Sequence, residues 1–184
     1  MPTAPGVFDH DRDHRRFLER IVAEHRAPLT RYAGRLLGDG ELARDVVQDT
    51  FMRLMGQDAS AVDGHVAEWL FAVCRNRALD VLRREGRMRP LGEDEGAEIV
   101  GHGPDPSLVL ETAETHERLL VLIDQLPPNQ QEVVRLKFQN GFNYKEIARI
   151  TQLSVSNVGF LLHTAIARMR RDWARDVGQK TPVT

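Results

Sequence analysis

Apolar residues recur every three or four positions along most of this chain, with polar side chains between them, which is the period of a helix packed on one side. No stretch of useful length alternates with the two-residue period of a strand. The first series begins near Phe17 with Leu18, Ile21 and Val22, passes Pro28, and continues through Leu29, Tyr32, Leu36 and Leu37 to a stop at Gly38-Asp39-Gly40. Glu41 to Met55 predicts another helix, apolar at Leu42, Val46, Thr50 and Leu54 and polar at Asp45, Gln48 and Asp49. After a loop of small and polar residues from Gly56 to Gly64, His65 to about Glu85 predicts a helix that starts apolar and ends basic. The period disappears from Gly86 to about Pro106 and returns around Ser107, with Leu108, Leu119, Leu122, Ile123 and Leu126 on one side. Pro127-Pro128 stops that helix, and Asn129 to Phe138 predicts a short one closed by Asn140-Gly141.

The stretch from Asn143 to Arg171 organises the C-terminal half. Asn143 with Glu146 three positions on has the form of a capping box, and Ile147, Ala148 and Ile150 give the helix behind it an apolar side. Thr151-Gln152-Leu153 is long enough only for a turn, and Ser154 can cap a second, longer helix. At about 100° per residue, Val155, Val158, Leu162, Ala165, Ile166 and Met169 gather on its core side. Ser156, Asn157, Phe160, His163 and Thr164 gather opposite. An aromatic ring among small hydrogen-bonding side chains suits a DNA groove, where apolar groups meet thymine methyls and amides meet base edges. A solvated face with one stray aromatic, or a contact with another helix, has the same pattern.

These segments predict an all-α protein of two small helical domains joined by a flexible acidic linker, the C-terminal one a helix-turn-helix. Residues 1–12, with Pro2, Pro5 and Gly6, read as a disordered lead-in. Residues 13–86 form the first domain, 87–106 the linker, 107–175 the second domain, and 176–184 a loose tail.

Charge changes this picture more than composition does. The formal net charge of the 184 residues is −2, which at first argues against a nucleic-acid partner. The distribution reverses that impression. Six arginines (75, 77, 83, 84, 87 and 89) lie between Arg75 and Arg89, against Asp80 and Glu85. A second basic block, with Arg135, Lys137, Lys145, Arg149, Arg168, Arg170, Arg171 and Arg175, closes the chain. Between the blocks, acidic residues from Glu93 to Glu117 run without a single Lys or Arg. Two basic blocks on an acidic tether can grip a phosphate backbone at two places.

Nothing approaches the roughly 18 uninterrupted apolar residues of a membrane span, and the N-terminus has no apolar run of signal-peptide length, so a cytoplasmic protein without membrane insertion is expected. The only cysteine, Cys74, lies in an apolar run and reads as a buried structural thiol. His10 and His14 are one helical turn apart without a third ligand nearby, so no metal site is expected. Asp45 and Asp49 share a helix face but have no nucleophile or metal partner, and no catalytic set or cofactor is expected.

Several separated segments, in order, resemble one family. Leu42-Ala43-Arg44-Asp45-Val46-Val47-Gln48-Asp49-Thr50-Phe51 resembles a polymerase-docking helix, and Trp69 to Asp80 followed by Leu82-Arg83-Arg84 resembles a promoter-melting segment. Leu126-Pro127 through Phe138, then Gly141 to Ala148, resembles an upstream-promoter reader. Together they are similar to bacterial RNA polymerase sigma factors of the sigma-70 family, extracytoplasmic-function group, over about residues 20–85 and 107–172.

The resemblance implies a transcription initiation factor that binds core RNA polymerase (β′ clamp and β subunit), directs it to specific promoters and helps melt the downstream element. It gives Asp45, Gln48 and Asp49 to the polymerase clamp. Asn76 and the Gly56–Gly64 loop would hold a flipped-out base, with Arg75, Arg77, Arg83 and Arg84 on the downstream DNA. Ser156, Asn157, Phe160, His163 and Thr164 would face the upstream element, with Lys145 and Arg168 nearby for phosphates. An anti-sigma factor is the implied inhibitor. One departure stands out: where the family commonly has basic, small hydroxyl and basic residues, this chain has Gly159, Phe160 and Leu161, and Thr164 stands where Arg is frequent. A helix-turn-helix regulator acting on duplex DNA without polymerase, and a small all-α enzyme or adaptor, are the competing readings.

Overall fold

In the computed structural model, residues 10–57, 62, 64–86 and 110–179 are described. Among them the chain forms seven helices and no strand: α1 (His10–Leu37), α2 (Gly40–Met55), α3 (Val66–Arg84), α4 (Leu110–Asp124), α5 (Pro128–Phe138), α6 (Tyr144–Thr151) and α7 (Val155–Gln179). The chain divides into two units, Met1–Met88 and Arg89–Thr184. The linker expected at 87–106 lies outside the described residues, whereas residues 176–179, expected in a loose tail, are helical and end α7.

In the first unit α1 packs against both α2 and α3, which also pack on each other. It begins at His10, so residues 10–12 are helical rather than part of a disordered lead-in. Residues 10–16 contain no apolar side chain, and a search for apolar periodicity therefore starts too late. Pro28 sits inside the helix, where it removes one amide donor. α1 ends at Gly38, whose φ of +66° is the left-handed conformation glycine adopts without strain. Asp39 then caps α2, its carboxylate accepting from the amides of Glu41 (2.8 Å) and Leu42 (3.1 Å).

The core of this unit is built from Leu29, Ala33, Ala43, Val46, Val47, Leu54, Leu70, Phe71, Cys74 and Ala78, all buried. Tyr32 and Phe71 bring their rings to 5.1 Å between centroids, within the range of favourable aromatic pairs. Cys74 is buried as expected, and burial pushes its thiol from the ordinary value of 9.0 up to about 12, while a hydrogen bond with Thr50 pulls the other way. Thr50 is itself fully buried and donates to the Val46 carbonyl at 2.8 Å.

The second unit is held at its corners by side chains that satisfy helix ends. Gln131 of α5 donates through Nε2 to the carbonyls of Asp124 (2.9 Å) and Leu126 (2.8 Å), orphan acceptors at the end of α4. Buried Arg135 pairs with Asp124 across the same corner. The capping box at Asn143 forms in full: its carboxamide oxygen accepts from Lys145 N (2.9 Å) and Glu146 N (3.0 Å), and Glu146 accepts from Asn143 N (2.7 Å). Gln152, at φ 61°, ends α6, and Ser154 caps α7 by accepting from Asn157 N at 3.1 Å. α5 and α6 pack on α7, and Arg118 of α4 stacks over the Trp173 ring of α7 at 4.7 Å.

Four side chains depart from the sequence pattern. Val155, the first residue of α7, is 45 % exposed rather than core. Leu161 is buried although the wheel gave it to neither face, and Leu119 is 39 % exposed. Thr151 belongs to α6, not the turn; it is buried and donates to the Ile147 carbonyl at 2.7 Å.

Replacing Asn143 by Ala removes the acceptor for two α6 amides and should cost about 1 kcal/mol of stability, read as a lower urea midpoint. Cys74 should react with a thiol reagent near pH 8 at least about 100-fold more slowly in the native protein than in urea, because neither access nor thiolate is available. Its raised pKa means that stability is unaffected below about pH 9 and falls as pH climbs from 9 towards 12, where only the unfolded thiol ionises.

Candidate functional site

The outward face of α2 carries the first cluster. Asp45 and Gln48 are exposed, one helical turn apart. Met52 and Met55, 62 % and 64 % exposed, continue the same stripe, a feature missed in the sequence because methionine at helical spacing resembles core. The face is thus acidic and amide-bearing at one end and apolar at the other. Asp49 is different: its carboxylate is engaged by Arg77 of α3, through Nε at 2.8 Å and Nη2 at 2.8 Å. Two residues that the resemblance gives to different partners are therefore bound to each other.

On α3 the arginines separate by position on the helix. Arg75 is 9 % exposed and faces inward with Cys74 and Ala78, so its assignment to downstream DNA is withdrawn: a buried guanidinium cannot reach a strand outside. Asn76 is exposed beside it. Arg83 is exposed but paired with Asp80 at 2.8 Å, and Arg84 is exposed. Of the loop from Gly56 to Gly64, residues 58–61 and 63 lie outside the described residues, and Val62 is buried.

The second unit presents its helix-turn-helix with α6 and α7 bent at 104°, within the range of DNA-reading corners. Ser156, Asn157, Phe160 and His163 are exposed on the outer face of α7, with Phe160 at 67 %. Thr164 is half-buried and donates to the Phe160 carbonyl at 2.9 Å, and Ser156 bonds Ser154 at 3.0 Å. Lys145 is exposed in the first turn of α6. Arg168 lies 3.9 Å from Asp172, a loose pair.

Tyr144 was not foreseen. It is 43 % exposed, lies 5.6 Å from the Lys137 ammonium, and flanks Gly159. A Cβ added at Gly159 would meet the Tyr144 ring at 3.7 Å, an ordinary contact, so packing does not demand glycine there.

Residues 21–88 match the family described as Sigma-70 region 2, and residues 116–169 match Sigma-70, region 4. The ECF RNA polymerase sigma factor SigL of Mycobacterium tuberculosis is 33% identical over 159 residues, covering 83% of this chain and 86% of SigL. The chain belongs to the ECF sigma factors of RNA polymerase. The ECF sigma factor SigE of Mycolicibacterium smegmatis is 28% identical over 173 residues, covering 92% of this sigma factor and 67% of SigE. In solved structures the fold resembles the sigma factor RpoE, in complex with the anti-sigma factor NepR, from Bartonella quintana (TM-score 0.60, 21% identity, 86% and 95% of the two chains).

As a member of this family, the protein binds core RNA polymerase and directs it to promoters. The helical units described above are its region 2 and region 4. Among the described residues, no single helix is long and apolar enough to cross a membrane.

Proposed function

We propose that this sigma factor docks on polymerase through the α2 stripe of Asp45, Gln48, Met52 and Met55. Acidic and amide groups at one end suit a basic partner surface, and two exposed methionines add adaptable apolar contact. Asn76, with Arg83 and Arg84 at the basic end of α3, takes the melted downstream strand. Arginines there offset the cost of unstacking through phosphate contacts, and a base removed from the stack needs hydrogen-bonding groups such as the Asn76 amide.

The observation that carries the upstream assignment is the outer face of α7, where Phe160 stands exposed between Asn157 and His163. Asn can pair with adenine and the ring can lie on a thymine methyl. Phosphate contacts fall to Lys145 and Arg168, which flank this face. The protein works in the cytoplasm, has no catalytic activity of its own, and is held inactive by an anti-sigma factor that covers polymerase- and promoter-facing surfaces. The RpoE–NepR complex of Bartonella quintana supports that last element as a precedent in a protein of similar fold.

Asp45→Lys should weaken binding to core polymerase by about tenfold or more, since like charges across a complementary interface cost on the order of a few kcal/mol. Titration of labelled protein with core measures it, and an unchanged affinity refutes the docking face. For region 4 the test is transcription in vitro from templates randomised over the upstream element. Phe160→Ala should change preference at one base pair, by roughly 1–3 kcal/mol of discrimination. Lys145→Ala should weaken all templates alike and flatten the salt dependence. If Phe160→Ala leaves the preferred sequence unchanged, the exposed ring belongs to a protein interface.

A further inference from the structure

The Asp49–Arg77 pair joins the two working faces of region 2. Its members are 28 residues apart in sequence, one on the docking helix α2 and one on α3 next to Asn76. Both guanidinium contacts, from Nε and Nη2, fall on the same carboxylate oxygen, Oδ2. The Arg77 side chain is only 23% exposed, whereas that of Asp49 is 48% exposed. The carboxylate thus lies between a guanidinium packed inward and the solvent on the docking side. Among the described residues, no hydrogen bond or ion pair engages its second oxygen, Oδ1.

An exposed ion pair contributes little, because water and side-chain entropy cancel most of the attraction. This pair is only half open, and a charge-assisted bond from a largely covered guanidinium holds its direction. The Arg77 side chain is consequently held by α2, one residue along α3 from Asn76. Asp45 lies one turn before Asp49 on α2 and is exposed. A cation that approaches Asp45 and Gln48 from outside meets the open side of Asp49 as well.

We propose that Asp49 is a positioning residue that couples polymerase docking to promoter opening. Its Oδ2 holds the Arg77 side chain beside Asn76 at the strand-facing surface of α3, and its Oδ1 receives a cation of the docked polymerase. One carboxylate then serves both events. By linkage, docking strengthens the hold on the melted strand to the same degree that strand capture strengthens docking. The proposal rests on the docking face assigned above.

The experiment uses reconstituted holoenzyme and a promoter selected from the randomised templates by the unaltered protein. Core affinity is measured by titration, and opening by permanganate reactivity of unpaired thymines at saturating sigma factor. Asp49→Asn should lower the open-to-closed ratio about tenfold even at saturation, as loss of one charge-assisted bond would. Arg77→Lys, which keeps the charge and loses the fork, should lower opening with core affinity unchanged. Asp45→Asn should weaken core binding alone, its effect on opening vanishing at saturation.

The double variant Asp49→Arg with Arg77→Asp separates coupling from a simple staple between helices. It restores an ion pair, read in the thermal unfolding midpoint, but presents a cation to the docking side, so opening should stay low. Full recovery of opening in this variant overturns the proposal, as does an Asp49→Asn defect that disappears at saturation. Unchanged core affinity in both Asp45→Asn and Asp49→Asn instead refutes the docking face itself, a different result from loss of coupling on an intact face.

Discussion

Burial of Val158, Leu161, Leu162 and Ala165 fixes the rotation of α7 about its axis, and what region 4 can read follows from that rotation. Each large apolar side chain taken from water stabilises the arrangement by about 1.5–3 kcal/mol, far more than any single polar contact on the opposite face. Turning the helix to hide Phe160 would expose that row. The exposed ring is therefore not a packing defect that a small adjustment could repair. It is the geometric complement of the core, held outward by the buried row on the other side of the helix. The capping box at Asn143 and the left-handed Gln152 set the other half of the geometry, because the first fixes where α6 starts and the second stops it where α7 must begin.

Region 2 obeys the same constraint with a different result. α1 runs the length of the unit and offers Leu29, Tyr32 and Ala33 to both neighbours, so α2 and α3 each have one face committed inward. Thr50 and Cys74 meet in that interior, where a small hydroxyl and a small thiol let the two helices come close. What remains outside is the stripe of Asp45, Gln48, Met52 and Met55 on α2, proposed above as the docking face, and an arginine-rich end on α3. The Asp49–Arg77 pair sits where these two faces approach each other. Neither face is independent of the other, since each is the back of the same three-helix core.

Features encoded within a few residues were legible in the sequence. The capping box, the Ser154 cap and the glycine stop at Gly38 each depend on neighbours no more than four positions away, and each forms as the residues indicate. The core side of α7 was readable at Val158, Leu162 and Ala165 for the same reason, although Val155 at the helix start had nothing to pack against. Arg75 was misread because a run of arginines looks uniformly basic in one dimension, while a helix turns Arg75 inward and Asn76 outward. The Asp49–Arg77 contact was out of reach altogether, since nothing local in either residue reports a partner 28 positions away. The exposed methionines Met52 and Met55 were hidden by their own chemistry, because an apolar residue at helical spacing is assigned to the interior by default.

The outer face of α7, proposed above to read the upstream element, carries no cation at Gly159, Phe160, Leu161 or Thr164, and the fold explains which of these positions could hold one. Gly159 has room for a side chain against Tyr144, and Thr164 spends its hydroxyl on the Phe160 carbonyl, so packing at these positions does not by itself exclude cations. Leu161, by contrast, is buried, and a basic residue there would have to carry its charge out of the core or give up the position. Leu161 therefore contributes to the interior and not to the outer face. A face that exchanges cations for an aromatic ring loses long-range attraction to phosphates and gains a contact that works only at close fit. On the proposed reading, region 4 discriminates once contact is made, and the approach to DNA rests on cations elsewhere in the holoenzyme.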